Sequence, residues 1–149
     1  MKRDDDIRIV VSACLLGMNC RYCGGGSLDE KILELSKEHE LIPLCSEQLG
    51  GLPTPREPNE ILDGRVREKS GKDNTEIFHL GAQEVLNIMK RLDCKHAILK
   101  QRSPSCGSSK IYDGTFSGKV IPGRGITASL LIENGIKVVS EEEIDELFS

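Results

Sequence analysis

The residues best suited to chemistry are three cysteines, each placed beyond a short apolar run. Cys14 follows residues 7–13, Cys45 follows 41–44, and Cys106 follows 97–99 after a short loop. That loop reads Ser103-Pro104-Ser105-Cys106-Gly107, with Lys100 and Arg102 just ahead of it. Pro104 has no backbone N–H to donate, so a strand cannot continue through it, and Gly107 permits a tight turn. If the apolar runs are strands of a parallel sheet, their carboxyl ends share one edge, where ligands bind in such folds. Three thiols distant in sequence then converge on one centre. Structural zinc wants four ligands, often in local Cys-x-x-Cys pairs. An iron–sulfur cluster takes thiolates from anywhere in a fold, and three thiolates on four irons leave one iron open as a Lewis acid. A zinc hydrolase with three thiolate ligands and a metal or sulfur carrier without catalysis stand as alternatives.

Around these thiols lie residues that move protons or hold charge. Glu47, two positions after Cys45, suits a general base or acid, and a carrier would not need one. Ser103 and Ser105 are placed to hold a water or a departing group, and Lys100 to stabilise developing negative charge. Arg21, Arg56, Arg102 and Arg124 are candidates for an anionic group on the substrate, and Gly123-Arg124-Gly125 opens a helix whose N-terminus favours anions. Tyr22 has a face on which a flat ring can stack. Cys20-x-x-Cys23 forms a possible second ligand or redox pair. Cys94 reads as a plain buried thiol, and His39, His79 and His96 show no ligand spacing.

The elements that position these residues alternate. Residues 7–13 are β-branched and nearly continuous, as in a buried parallel strand. Ser27 and Glu30 have capping-box spacing ahead of a helix with Leu28, Ile32 and Leu35 on one face to about His39. A second strand covers 41–44, with Pro43 suited to an edge. Asp63-Gly64 signals a hairpin, and 63–74 reads as a polar, mobile flap partly covering the crevice. Residues 75–92 form the strongest helix, with Thr75 as N-cap. A third strand follows at 95–99, a turn at 112–116, a helix at 126–134 closed by Gly135, a fourth strand at 136–139, and a last helix at 141–148 capped by Ser140. This order predicts one α/β domain over residues 1–149, Rossmann-like, with a mainly parallel sheet and flanking helices.

Bulk properties narrow the class. The 149 residues carry a net charge of −4, with 30% charged and 38% hydrophobic residues, the balance of a folded globular chain. The lack of a basic run argues against a nucleic-acid polymer as partner. Two Tyr, three Phe and no Trp leave little for single-strand stacking platforms. No apolar stretch is long enough to span a membrane, and the charged residues 1–6 lack a signal-peptide core, so the cytoplasm is the expected compartment. There, six cysteines favour metal or catalytic roles over disulfides.

Four motifs in this order resemble the DUF523 family of thiouracil desulfurases. They are Ser12-Ala13-Cys14-Leu15-Leu16-Gly17; Cys20-Arg21-Tyr22; Cys45-Ser46-Glu47 with Gly50-Gly51-Leu52-Pro53-Thr54-Pro55-Arg56; and Leu99-Lys100 with Ser103-Pro104-Ser105-Cys106-Gly107. The resemblance implies a [4Fe-4S] cluster on Cys14, Cys45 and Cys106 and a small thiolated pyrimidine, thiouracil or thiouridine monophosphate, as substrate. It implies non-redox desulfuration, in which sulfur passes to the open iron and water replaces it on the ring. The chain departs from the family pattern at Cys23, where an Asp is common, and at Ser46, where a Pro is common.

Overall fold

The computed structural model describes residues 7–149. Four strands form a wholly parallel sheet in the order β2-β1-β5-β8, where β1 is Arg8–Ser12, β2 Glu40–Leu44, β5 His96–Leu99 and β8 Lys137–Ser140. Successive side chains point to opposite faces, and both faces are covered. Val10, Ala97 and Leu99 face α3 (Thr75–Arg91) and α4 (Ile126–Glu133), packing with Val85, Leu86, Met89 and Leu131. Ile9, Val11 and Ile98 face the other way, against Ile32 of α1 (Glu30–Leu35) and Leu147 of the 3-10 turn Ile144–Phe148. The predicted fold class holds, and Pro43 lies on an edge strand as expected.

The register sets the site. Ser12 pairs with Leu44, and Val11 with Ile98, so β1, β2 and β5 end at one level. The chain runs from β1 outward to β2, then returns to the far side of β1 as β5. That reversal opens a crevice at the carboxyl ends of β1 and β5.

Two antiparallel hairpins rim this crevice. β3 (Asn59–Leu62) pairs with β4 (Arg65–Glu68), and β6 (Lys110–Tyr112) with β7 (Val120–Pro122). A third of the predicted flap is therefore strand: Val66 is fully buried with Leu52 and Phe78, and Asn74 is buried as well. A polar sequence concealed this because one buried residue in four anchors such a hairpin. The sequence shows the second hairpin only as a turn, since three-residue strands leave little periodicity.

Local caps also differ from expectation. Asp29, not Ser27, caps α1, its carboxylate accepting the Lys31 and Ile32 amides. The helix ends at Leu35. Thr75 is the first residue of α3 instead of its cap: its hydroxyl accepts the Val66 amide, while Asp73 accepts the Thr75 amide. The last helix is the shorter 3-10 turn, and Ser140 ends β8, its hydroxyl accepting the Glu142 amide in the turn between. Gly135 closes α4 at φ +80°, as the sequence predicts.

Candidate metal centre and its proton path

Cys14, Cys45 and Cys106 all line one cavity of about 430 Å³ at the carboxyl edge of the sheet. Cys14 sits in the 3-10 turn Ala13–Leu16 that ends β1. Cys45 is the N-cap residue of α2 (Ser46–Leu49), a one-turn helix. Cys106 lies in the loop after β5, where the Ser103 hydroxyl accepts the Ser105 and Cys106 amides.

The thiols feel one another. Burial, then the neighbouring Cys106, Cys20 and Cys45, pushes Cys14 up to about 12, with Lys100 pulling the other way. Burial pushes Cys106 up to about 11, against the nearby hydroxyls of Ser12 and Ser105. Cys20, which the sequence offers only as half of a second pair, is the fourth thiol of this wall, raised to about 12 by burial and Cys45. Cys23 is exposed and outside the cavity lining, so the cavity receives only one member of Cys20-x-x-Cys23.

This donor set is all sulfur, with no imidazole in the lining. Soft thiolates select iron–sulfur clusters, copper(I) or zinc. Among the described residues no three His, Cys, Asp or Glu side chains come close enough to hold one ion. Thiolates on one cavity wall can each serve a separate iron of a cluster. A metal centre must displace the thiol protons that burial retains.

Beside the thiols runs a chain of hydroxyls. Ser105 is buried and donates to Glu47 Oε2 at 2.8 Å; its oxygen lies 2.9 Å from Ser103 Oγ. A hydroxyl has one hydrogen. With the Ser105 proton on Glu47, the Ser103 proton points at Ser105, which gives a continuous path from Ser103 to the carboxylate. The other carboxylate oxygen, Oε1, accepts Arg56 Nε at 3.0 Å.

Arg56, expected to meet substrate, lines the cavity, and it is also bonded widely within the protein. Its remaining nitrogens donate to Pro53 O, Thr54 Oγ1 and Cys20 O, and its side chain is 5% exposed. It is a positioning residue that ties Glu47 to the Cys20 turn. Arg124 is exposed and absent from the cavity lining. The N-terminus of α4 is not free for an anion either: the Gly125, Ile126, Thr127 and Ala128 amides donate to carbonyls of Gly107, Pro104 and Ser105. That helix end holds the Cys106 loop instead of a substrate phosphate.

Like Arg56, the remaining expected residues line the cavity. Lys100 is paired with Glu141 at 2.9 Å. Arg21 stands 6.0 Å over the ring of Tyr22 at the mouth, a cation–π distance. Arg102 is there too, its left-handed backbone (φ +68°) turning the chain into the loop. The sequence reading missed Gln101, which is buried and whose side-chain oxygen accepts the Ser108, Ser109 and Lys110 amides. An amide in a run of loop residues gives no periodic signal. Cys94 is the expected buried thiol, bonded to the Arg8 carbonyl.

A parallel α/β domain with a thiol-walled crevice and a carboxylate–hydroxyl path into it is the architecture of an enzyme. The chain belongs to the 2-thiouracil desulfurase family, whose model matches residues 9–143. It is 44% identical to the uncharacterised protein YbbK of Bacillus subtilis (strain 168), over 93% of this chain and 99% of that protein. It is also similar to the solved structure of the [4Fe-4S]-dependent thiouracil desulfidase TudS, with a TM-score of 0.90, 41% identity and 95% of each chain covered.

Proposed function

We propose that this chain is a desulfidase that replaces the sulfur of a small thiolated pyrimidine by oxygen, with a [4Fe-4S] cluster held by Cys14, Cys45 and Cys106. The observation that carries this reading is the meeting of those three thiols with the Ser103–Ser105–Glu47 path in one cavity. A bound cluster with three thiolate ligands supplies a Lewis-acidic iron for the substrate's sulfur. The net change, a ring C=S and water giving C=O and hydrogen sulfide, involves no electron donor or acceptor.

The protein's own groups handle the proton. Water at the mouth of the path gives its proton to Ser103 as Ser103 passes one to Ser105 and Ser105 one to Glu47. Glu47 returns it to the departing sulfur or a ring nitrogen. Arg56 keeps the carboxylate aimed. Lys100 stabilises charge that builds on the ring oxygen, and Glu141 holds it in place. Arg21 and Tyr22 contact the substrate at the mouth.

A cavity of this volume in a chain of net charge −4 suits a base or nucleotide and not a polymer. Among the described residues no helix is long and apolar enough to cross a membrane. All six cysteines are free, which suits the reducing cytoplasm. The test is anaerobic: cluster-loaded protein is given thiouracil, thiouridine and thiouridine monophosphate, and uracil-type product and sulfide are measured. Stoichiometric release of both, by brown protein with broad visible absorption, is the expected result. Brown protein that leaves all three substrates intact overturns the reading in favour of a carrier.

A further inference from the structure

The aromatic residues of this chain are few and unevenly placed. Of two Tyr and three Phe, Tyr22, Tyr112 and Phe116 all line the cavity. Phe78 is in the core, and Phe148 stacks on His39. Phe116 adopts φ +57°, a left-handed backbone that a bulky side chain rarely occupies. Such an outlier persists only where its surroundings over-determine it.

Here they do. The β6–β7 hairpin carries Phe116 in its connecting loop, and one carboxylate from the other hairpin pins that loop. Glu60 Oε1 accepts the Gly114 amide at 3.0 Å and the Phe116 amide at 3.1 Å. Gly114, at φ +93°, packs so closely that a Cβ would lie 2.7 Å from Leu62 Cβ and 2.8 Å from Ile61 O. Asp113 accepts the Thr115 amide and hydroxyl, which closes the turn. The loop is thus held against β3 at the cost of a strained Phe116, and that residue borders the cavity.

Resting on the proposed function, we infer that Phe116 supplies the face on which the substrate's flat ring stacks, and that Glu60 is the positioning residue that latches Phe116 over the cavity. Recognition is then of a planar heteroaromatic ring, and sulfur capture is separate from it. Product uracil, which keeps the ring and lacks the sulfur, uses the same face.

The experiment compares cluster-loaded parent, Phe116→Ala, Phe116→Tyr, Glu60→Ala and Glu60→Gln. It reads visible absorption, kcat and KM for thiouracil, and the competitive inhibition constant of uracil. Phe116→Ala is expected to raise the thiouracil KM and the uracil constant together by roughly tenfold, the scale of one lost base–aromatic stack, with cluster absorption unchanged. Phe116→Tyr keeps the ring and rescues both constants. Glu60→Ala shifts both in the same direction, and Glu60→Gln, which retains an acceptor oxygen, recovers them. Unchanged constants in an active, folded Phe116→Ala protein overturn the inference and leave the proposed function standing. A rise in KM without a rise in the uracil constant also overturns it. A parent that loads its cluster and releases no sulfide from thiouracil overturns the proposed function and the inference with it.

Discussion

Replacing Gly81 by Ala tests whether the site is built on a backbone contact. In a helix interior Ala is favoured over Gly by about 1 kcal/mol, so Gly81→Ala would stabilise an exposed stretch of helix. Gly81, however, is buried where α3 meets α2, and a Cβ there would overlap the Ser46 carbonyl oxygen and crowd the Gly50 amide. Gly50 answers from the other side, pressed on the Ile77 carbonyl. These are backbone atoms that cannot rotate away. Overpacking of this kind costs about 1–3 kcal/mol, which outweighs the propensity gain. The expected net loss is up to about 2 kcal/mol, or up to roughly 8 °C in Tm for a chain of this length. Relief must come from moving α2, which bears Glu47 and is capped by Cys45. Activity should therefore fall further than stability, by about tenfold or more, since small misplacements of a reacting group are expensive. Urea unfolding and thiouracil turnover by the cluster-loaded variant are the assays. A variant more stable than the parent by about 1 kcal/mol, with normal turnover, would refute the idea that α2 is seated by this glycine pair.

The other expectations concern the carboxylate, its arginine and acid stability. Cys45→Ala should lose the cluster and its colour, while Glu47→Gln should keep both and lose roughly 10²-fold or more in turnover, the scale of one general acid–base step, measured by visible absorption and sulfide release. Arg56→Ala leaves the 12%-exposed Glu47 side chain without its partner and should cost about 3–5 kcal/mol in chemical denaturation. Arg56→Lys should recover only part of that, because one ammonium cannot reach four separated acceptors. Asp73 is held down to about 2, chiefly by its hydrogen bonds to Thr75 and then by Arg65, against an ordinary 3.8. A depressed carboxylate stabilises the fold above its ordinary value and ceases to do so as pH falls through the folded one. Thermal melts of Asp73→Asn should therefore lose less stability than the parent between pH 3.8 and 2; an identical pH slope would count against the Asp73–Thr75 contact.

Much of this protein follows from order along the chain. Apolar runs, intervening helices and cysteines beyond three of the runs are local features, and strand identity with parallel pairing follows from burial of both sheet faces. From these alone Cys14, Cys45 and Cys106 were placed on one edge, and Glu47, Ser103, Ser105 and Lys100 beside them. Pairing decided the rest. Whether Arg56 and Arg124 meet a ligand depends on what else offers them acceptors, or denies them a place in the cavity wall. Arg56 reaches the cavity wall with its nitrogens bonded to Glu47, Pro53, Thr54 and Cys20, whereas Arg124 is exposed outside it. Phe116, Glu60 and Gln101 carry no spacing signal, because their roles lie in contacts with segments distant in sequence or within an aperiodic loop. Hydrophobic periodicity reports which face of an element is buried, and so the sequence by itself determined the layers and the thiol edge. A hydrogen bond needs its partner within about 3 Å, and only the folded chain brings Glu47 to Ser105 and Arg56.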